Sequence, residues 1–164
     1  DEMDALRSRG YVCHRSLLFD ASGSHYFLVK RQPQESPEHS LMCWAIAEEI
    51  RKHGGRPEVK ATVGADVTVK IGARIVCFEV ETGQNVEWHG PEHVKEKMEQ
   101  RKKECDRLIV LVTNRRLKGK YARLANAKTI TRTEVAGTVA ALFRQKAVTA
   151  QGEQPGDETG NETA

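Results

Sequence analysis

Residues 64–83, GADVTVKIGARIVCFEVETG, contain the two strands that decide the fold of the chain. Two apolar runs lie on either side of Gly72-Ala73, and a two-residue loop with glycine first is typical of a type II′ hairpin turn. The turn fixes how the strands align, and it predicts that the paired residues are Ile71 with Arg74, Val69 with Val76, Val67 with Phe78, and Asp66 with Glu79.

Three carboxylates stand in or beside these apolar strands. The register places Asp66 opposite Glu79, with Cβ atoms about 5 Å apart. Glu81 shares a face with Glu79 because it lies two residues further along the same strand. Like charges so arranged destabilise a sheet, so a divalent cation, a raised carboxyl pKa, or a nearby lysine or arginine must compensate. The flanking hydrophobic residues indicate buried strands rather than solvated acids, and they favour the divalent cation.

The sequence around this hairpin predicts helices that alternate with strands. Ser36 as N-cap and Pro37 at the first helical position predict a helix over 37–53. Further helices are expected near 91–104, in the basic segment RRLKGKYARLANAK and near 133–146, and strands in EVKATV, ADVTVKI, RIVCFEVE, RLIVLVTN and TITRTEV. The order is α-β-β-β-α-β-α-β-α, which predicts an α/β fold with a mixed sheet flanked by helices.

The two ends of the chain differ from this central part. Residues 1–35 contain two β-prone runs around the turn signal DASGS, which predicts a β-hairpin after the end of a helix. Residues 36–147 hold the predicted α/β domain. Residues 148–164 contain four acids, no base and few apolar side chains, so we expect a disordered acidic tail.

Composition excludes several classes of protein. No apolar run approaches the roughly 20 residues that cross a bilayer, and the first residues do not resemble a signal peptide. The four cysteines are scattered without a CxxC pair, which favours a reducing, cytoplasmic compartment. The histidines and cysteines form no complete zinc-binding motif, so we expect no structural zinc. The net charge of +3 becomes +7 for residues 1–147 without the four acids of the tail, and a basic body suits a polyanionic partner.

The hairpin resembles a nuclease motif. In this hairpin an acid precedes the first strand, a turn follows, and the second strand ends in acid-X-acid. Asp66 and Glu79-Val80-Glu81, preceded by a helix that carries glutamate, resemble the PD-(D/E)XK nuclease superfamily over roughly residues 36–113. PEH at the helix start and EVETG at the strand end resemble a branch related to archaeal and mobile-element endonucleases. The resemblance implies a restriction-endonuclease-like sheet and metal-dependent hydrolysis of DNA phosphodiester bonds, with an E-X-E variant of the motif.

The sequence departs from the motif at its lysine, which Glu81 replaces. Some restriction endonucleases of the superfamily carry glutamate at this place and remain active, and in other members the lysine has moved to the following helix. In this chain Lys95 and Lys97 are the candidates on that helix, with Lys97 preferred. A solvated basic helix face is the alternative interpretation of both lysines.

The resemblance assigns roles to the residues of the motif. Asp66, Glu79 and the Val80 carbonyl would hold Mg²⁺ or Mn²⁺ against a phosphate oxygen. Glu81 would orient or deprotonate the attacking water, with help from Lys97. These five residues, together with Glu38 of the preceding helix, form the predicted catalytic and metal-binding centre.

Other residues of the first helix have two interpretations each. Glu38 would reach the metal-bound water from the helix start, with Glu49 as a weaker substitute; the alternative for Glu38 is an ordinary acid at a helix start. His39 would contact phosphate or, in the alternative, pack against or cap the helix.

A basic segment after RLIVLVTN supplies candidates for DNA contact. Its cations would neutralise phosphates without reading bases, and a solvated helix face is the alternative; they are Arg115, Arg116, Lys118, Lys120 and Arg123. The N-terminal hairpin resembles the wing of a winged-helix DNA-binding domain, of which residues 1–35 would be a remnant. We therefore expect the chain to be part of a larger DNA-processing protein.

Two functions remain open on the sequence alone. The first is a metal-dependent DNA endonuclease domain, and the second, suggested by Glu81, is a nuclease-fold module that binds DNA with weak or no cleavage. A small-nucleotide or protein-interaction domain has no motif in its favour, since the chain contains neither GxGxxG nor a P-loop. The resemblance is compatible with a homodimer, and it leaves the choice between DNA and RNA open.

Overall fold

The computed structural model describes residues 2–19, 23–33, 35–60 and 64–151. Within these ranges a helix and a hairpin are followed by the predicted α-β-β-β-α-β-α-β-α order, which is confirmed. The elements are α1 Glu2–Ser8, β1 Tyr11–Ser16, β2 His25–Lys30, α2 Pro37–Lys52, β3 Pro57–Val59, β4 Val67–Ile71, β5 Arg74–Glu81, α3 Gln84–Lys103, β6 Arg107–Val112, α4 Lys118–Ala125, β7 Lys128–Thr131 and α5 Val135–Gln151. Short 3₁₀ turns, Arg115–Leu117 and Arg132–Glu134, precede α4 and α5.

A mixed sheet of five strands in the order β3-β4-β5-β6-β7 forms the centre of the fold. β3, β4 and β5 are antiparallel neighbours, whereas β5, β6 and β7 are parallel and are joined by helical crossovers. The predicted register of the β4–β5 hairpin is confirmed, from Ile71 with Arg74 to Val67 with Phe78. Asp66 lies one residue before β4, just beyond the last pair.

Side chains of β5 alternate between the two faces of the sheet, and each face has its own core. Phe78 and Val80 pack with residues of α2 and α5 on one face. Cys77 packs with residues of α3 and α4 on the other face. Glu79 and Glu81 share the side of Cys77 because successive side chains of a strand point to opposite faces. The sheet therefore directs both carboxylates toward α3.

The N-terminal hairpin packs against the side of the sheet that α2 covers. Val29 of β2 is buried in the core shared by α2 and α5. Arg132, after β7, donates through its NH1 group to Ser16 Oγ and to the Leu17 carbonyl, both at 2.8 Å. Glu38, at the start of α2, contacts the same guanidinium. The hairpin is therefore tied to both α2 and the end of β7.

Two helices differ from the prediction. α3 begins at Gln84, not at Pro91, and it is kinked at Gly90, where φ is +82°. Proline lacks the N–H of a helix interior and disfavours helical geometry in the residue before it, so Pro91 marks the kink rather than the helix start. α5 extends to Gln151 instead of ending near 146, so the segment predicted as a tail begins as helix.

Some predictions lie partly outside the described residues. These are the DASGS turn at 20–22, the end of EVKATV at 61–63, and the acidic tail at 152–164. Among the described residues, no helix is both long and apolar enough to cross a membrane. All four cysteines are free thiols.

Candidate active site

Two glutamates at the end of β5 form the centre of the site. Glu79 and Glu81 are each 0% exposed. Both lie on the sheet face that α3 and α4 cover. Removing a charged carboxylate from water without partners costs several kcal/mol, so each of them needs cations or hydrogen-bond donors.

Cations from α3 supply those partners. Lys97 Nζ lies 2.6 Å from Glu79 Oε2 and 3.0 Å from Glu81 Oε1. Arg101 Nε donates to Glu79 Oε1 at 2.8 Å. Lys97 and Arg101 are four residues apart, so one face of α3 presents both. Lys95, the other lysine proposed from the sequence, lies on an exposed part of the helix.

Donors surround Glu81. Asn85 Nδ2 donates to Oε1 at 3.3 Å and to Oε2 at 3.1 Å, and the hydroxyl of Tyr121 donates to Oε2 at 3.0 Å. Burial and the charge of Glu81 raise the pKa of the Tyr121 phenol, which therefore stays protonated as a donor. With Lys97 at Oε1, each oxygen of Glu81 accepts two hydrogen bonds. This arrangement holds Glu81 in place and does not leave it open to a water.

Asp66 stands before β4, beside the end of β5. Its Oδ2 accepts the Val80 N–H at 2.7 Å, and His39 Nε2 lies 3.2 Å from the same oxygen. Burial alone would raise the pKa of Asp66. The hydrogen bond and the charge of His39 outweigh burial and lower this pKa, so the carboxylate is ionised.

His39 links Asp66 to two further side chains. Its Nδ1 lies 3.4 Å from Glu35 Oε2 and 3.7 Å from Cys43 Sγ. Burial lowers the pKa of His39, but the hydrogen bonds to Asp66 and Cys43 outweigh it and raise the pKa to about 11. The imidazole is therefore cationic at neutral pH, and it acts as the partner of Asp66.

Basic side chains neutralise the acids that the sequence places among the hydrophobic residues. Asp66 faces His39, Glu79 faces Lys97 and Arg101, and Glu81 faces Lys97. The pKa of Glu79 is nevertheless raised to about 7, because burial and the charge of Asp66 outweigh the two cations. Nearby cations and the raised pKa of Glu79 therefore both compensate the crowded acids. The divalent cation, the third form of compensation, stays a prediction.

Two oxygen atoms of the site could serve a divalent cation. Glu79 Oε2 is buried. Lys97 Nζ lies 2.6 Å from it as an ion pair, but among the described residues no donor is oriented to give this oxygen a hydrogen bond. Both polar contacts of the Asp66 side chain fall on Oδ2, which leaves Oδ1 without one in the described part of the chain. Carboxylate oxygens suit Mg²⁺ and Mn²⁺. These two oxygens are therefore the candidate ligands for such an ion, which would compete with Lys97 for Glu79.

The structure does not bring the other predicted acids to this centre. Glu38 faces the hairpin, where its Oε2 lies 2.5 Å from His14 Nε2 and its Oε1 contacts Arg132. Glu49, near the end of α2, pairs with Lys52 at 2.9 Å. Glu38 occupies the first turn of α2, and the docked hairpin covers that turn.

The cations predicted to bind DNA follow the end of β6 and continue into α4. Arg115, Arg116 and Lys120 are exposed. Lys118 differs from them, because its ammonium contacts both carboxylate oxygens of Glu134 at 2.7 Å. Arg123 is exposed as well, so the segment offers four exposed cations and one that is already paired.

Two depressions of the described surface lie outside this centre, and their linings include none of Asp66, Glu79 and Lys97. One, of about 570 Å³, lies at the ends of β6 and β7 and is lined by residues that include Thr113, Arg115 and Arg132. The other, of about 720 Å³, lies between the hairpin and the start of α3, and its lining includes Glu35 and Trp88. Crevices at the carboxyl ends of parallel strands are common ligand sites in α/β proteins.

Sequence reasoning missed several side chains of this site. Arg101 and Cys43 follow Lys97 and His39 by four residues, a spacing that places side chains on one helix face and could have indicated them. Tyr121 comes from α4, and no local pattern connects it with the end of β5.

No family model matches this chain, and neither a curated protein nor a solved structure matches it significantly. Its function is therefore inferred from the geometry of the site and from the resemblance of its motif.

Proposed function

We propose that the chain is a metal-dependent DNA endonuclease domain with a restriction-endonuclease-like fold. The observation that carries the proposal is the contact of Lys97 with both Glu79 and Glu81, beside the carboxylate of Asp66. Adjacent acids that can hold a metal ion, together with a lysine, are the groups that metal-assisted phosphodiester hydrolysis requires.

The position of Lys97 supports the resemblance to the PD-(D/E)XK superfamily. Glu81 occupies the place of the motif lysine, and the resemblance allows the lysine to come from the following helix. Lys97 belongs to that helix, and its ammonium lies 3.0 Å from Glu81 Oε1. The element order and the mixed sheet are compatible with the same superfamily.

Each residue of the motif would have a separate part in the reaction. Asp66, Glu79 and the Val80 carbonyl would hold Mg²⁺ or Mn²⁺, which when bound polarises a phosphate and lowers the pKa of a water. The side chain of Lys97 is 22% exposed, so its ammonium would contact a phosphate oxygen and neutralise the charge that develops there. Glu81, whose oxygens are occupied by donors, would position Lys97 rather than touch the water.

Charge and shape around the centre support a nucleic-acid substrate. The Thr113 N–H donates to the Glu81 carbonyl at 3.1 Å, so the basic segment 115–123 begins beside the end of β5. Its exposed cations would neutralise backbone phosphates. Trp88, which is 71% exposed at the rim of the larger depression, would stack on a base.

A second candidate function is a nuclease-fold module that binds DNA without cutting it. It is favoured by the contacts of Glu79, whose Oε2 lies against Lys97 and whose Oε1 accepts from Arg101. Acids neutralised by their own protein's side chains do not need a metal ion to stay buried. In this second candidate, DNA would bind to the basic segment and the acids would serve only the fold.

A cleavage assay separates the two candidates. Labelled duplex, single-stranded and branched DNA, and RNA of the same sequence, are incubated with Mg²⁺, Mn²⁺ or EDTA. The endonuclease predicts metal-dependent cuts in at least one DNA substrate, lost in Glu79→Gln and retained in the control Glu92→Gln, which changes an exposed acid of α3. Binding without cuts in any substrate supports the second candidate, and cuts that survive EDTA or Glu79→Gln contradict the first.

A further inference from the structure

Three side chains of different chemistry meet on the α2 side of Asp66. His39 Nε2 lies 3.2 Å from Asp66 Oδ2 and 4.0 Å from Cys43 Sγ. One ligand atom from each of the three residues can be chosen so that all lie within 4.8 Å of one another. The helix explains part of this arrangement, since His39 and Cys43 are four residues apart and share a face of α2.

These separations are close to those of a metal centre that binds nitrogen, sulfur and oxygen. Zn–S and Zn–N bonds of about 2.3 and 2.0 Å at tetrahedral angles place the ligand atoms roughly 3.4 to 3.6 Å apart. The observed nitrogen–oxygen and nitrogen–sulfur distances of 3.2 and 4.0 Å bracket that range. Cys43 Sγ and an Asp66 oxygen lie within 4.8 Å of each other, and side-chain rotations that shorten this third distance would close the triangle around an ion.

Glu35 supplies the outer partner that a metal-binding histidine usually has. With Nε2 of His39 directed to the ion, Nδ1 faces Glu35 Oε2 at 3.4 Å. Glu35 is itself held by the hydroxyl of Ser40, which donates to the same carboxylate oxygen at 2.9 Å. A carboxylate behind a ligating imidazole fixes the ring and raises its basicity. This contact is a second observation, independent of the triangle, that is typical of a metal site.

The exposure of the three groups provides a path for an ion. The side chains of His39 and Asp66 are 17% and 16% exposed, whereas Cys43 lies at the bottom of the site. Three protein ligands would leave one tetrahedral position for a water or a substrate atom. The thiol selects the class of ion, because a thiolate prefers Zn²⁺, Co²⁺ and similar ions to Mg²⁺.

We propose that His39, Cys43 and Asp66 form a binding site for a divalent transition-metal ion of the zinc class. On binding, the Cys43 thiol and the His39 imidazolium each release a proton to solvent, and three metal–ligand bonds form. The site differs from the Mg²⁺ or Mn²⁺ site of the proposed function, although the two share Asp66. The proposal does not depend on that function, because the ion would bind whether or not the protein cleaves DNA.

The site departs from the expectation that the chain has no structural zinc. That expectation depended on the spacing of cysteines and histidines, in which two pairs, His39–Cys43 and His89–His93, are four residues apart but neither completes a zinc motif by itself. The third ligand, Asp66, lies just before β4, so it is distant in sequence from the pair on α2. The spacing of residues in α2 therefore cannot reveal the complete set.

Cobalt binding tests the proposal without an activity assay. The reduced full chain is titrated with Co²⁺, whose bond to a thiolate gives a near-ultraviolet charge-transfer band. We expect a band that saturates at one equivalent, is lost in Cys43→Ser and is kept in the matched control Cys105→Ser. Competition with Zn²⁺ should remove the band, and Glu35→Gln should weaken Zn²⁺ affinity by about 10- to 100-fold.

The titration can also overturn the proposal. No band in the folded wild type, a band that persists in Cys43→Ser, or one that is lost in Cys105→Ser would each contradict the site. Circular dichroism establishes that every variant is folded. If Cys43→Ser does not fold, His39→Gln provides the same test, because the proposal requires at least a tenfold loss of Zn²⁺ affinity and an unchanged affinity rejects it.

Discussion

The ammonium of Lys97 lies 2.6 Å from Oε2 of Glu79, a carboxylate that is 0% exposed. This contact joins α3 to the end of β5, so a helix supplies the charge that a buried strand needs. The same ammonium contacts Glu81. Removing one lysine therefore leaves two buried acids with fewer cations, which has consequences for stability as well as for chemistry.

Lys97→Met is expected to destabilise the protein by about 3 kcal/mol, because breaking a buried ion pair leaves an uncompensated charge. Lys95→Met removes an exposed ammonium from the same helix, and we expect it to change stability by less than about 0.5 kcal/mol. Urea denaturation of both variants at neutral pH measures the difference. Equal effects of the two substitutions would contradict the assigned contact.

A double variant tests whether Lys97 and Glu79 are coupled. Glu79→Gln removes one of the charges that Lys97 compensates, so Lys97→Met should cost less stability in that background than in the wild type. The four free energies of unfolding of the cycle give the coupling. Additive effects would show that the ammonium does not depend on Glu79.

The central hairpin shows how much of the fold local sequence can determine. Its register is confirmed because a two-residue turn and the alternation of apolar residues both act over short distances. The start of α3 was predicted wrongly because a local signal, Pro91, was interpreted as the first residue of the helix. Pro91 is typical of a helix start, but Gly90 adopts a positive φ and the helix continues through a kink.

The site was predictable only where its residues belong to that hairpin or to one helix face. Two lysines on α3 were candidates, and the packing of the helix on the sheet distinguishes Lys97 from Lys95. The partners of the acids come from distant elements: His39 from α2 contacts Asp66, and Tyr121 from α4 contacts Glu81. Such contacts follow from the packing of elements, which no local pattern contains.

The exposed cations after β6 predict a salt-dependent DNA interaction. Arg116→Ala and Lys120→Ala should weaken binding to all sequences and reduce the slope of log K against log salt by about 1 each. Lys118→Ala should reduce that slope less, because Glu134 already holds its ammonium. Fluorescence anisotropy with a labelled duplex at several salt concentrations gives the slopes. Unchanged slopes for Arg116→Ala and Lys120→Ala would place the DNA surface elsewhere.

The pair of Glu134 and Lys118 predicts how stability changes in acid. The hydrogen bond from Lys118 lowers the pKa of Glu134 to about 2, from 4.5 for the free side chain. The carboxylate therefore stabilises the fold fully above pH 4.5, and this contribution is lost as the pH falls toward 2.

Glu134→Gln should flatten the loss of stability in that pH window. The measurement is the urea midpoint as a function of pH, from about pH 5.5 down to pH 2. Glu92→Gln, which changes an acid that is 80% exposed, is the control and should keep the wild-type profile. If Glu134→Gln keeps the wild-type pH profile, the Glu134–Lys118 pair does not contribute to stability.

Trp88 should report the binding of single-stranded DNA. The chain has two tryptophans, Trp44 and Trp88, which are 50% and 71% exposed. Stacking on bases quenches indole fluorescence, so Trp44→Phe should retain quenching on addition of a single strand and Trp88→Phe should lose it. If Trp44→Phe loses the quenching and Trp88→Phe keeps it, the DNA binds at the α2 surface and not beside Trp88.

The central claim is that Asp66, Glu79 and Lys97 form a site for metal-dependent hydrolysis of phosphodiester bonds. Asp66→Asn keeps the size of the side chain and removes the charge that would hold the ion. Asp106→Asn is the matched control, because Asp106 accepts a backbone N–H at the other end of β5 and is exposed.

The decisive measurement is the rate at which each protein nicks supercoiled DNA at saturating Mn²⁺. We expect Asp66→Asn to lower the rate by at least about 100-fold and Asp106→Asn to leave it within about twofold of the wild type. Nicking by Asp66→Asn at the wild-type rate would contradict the account.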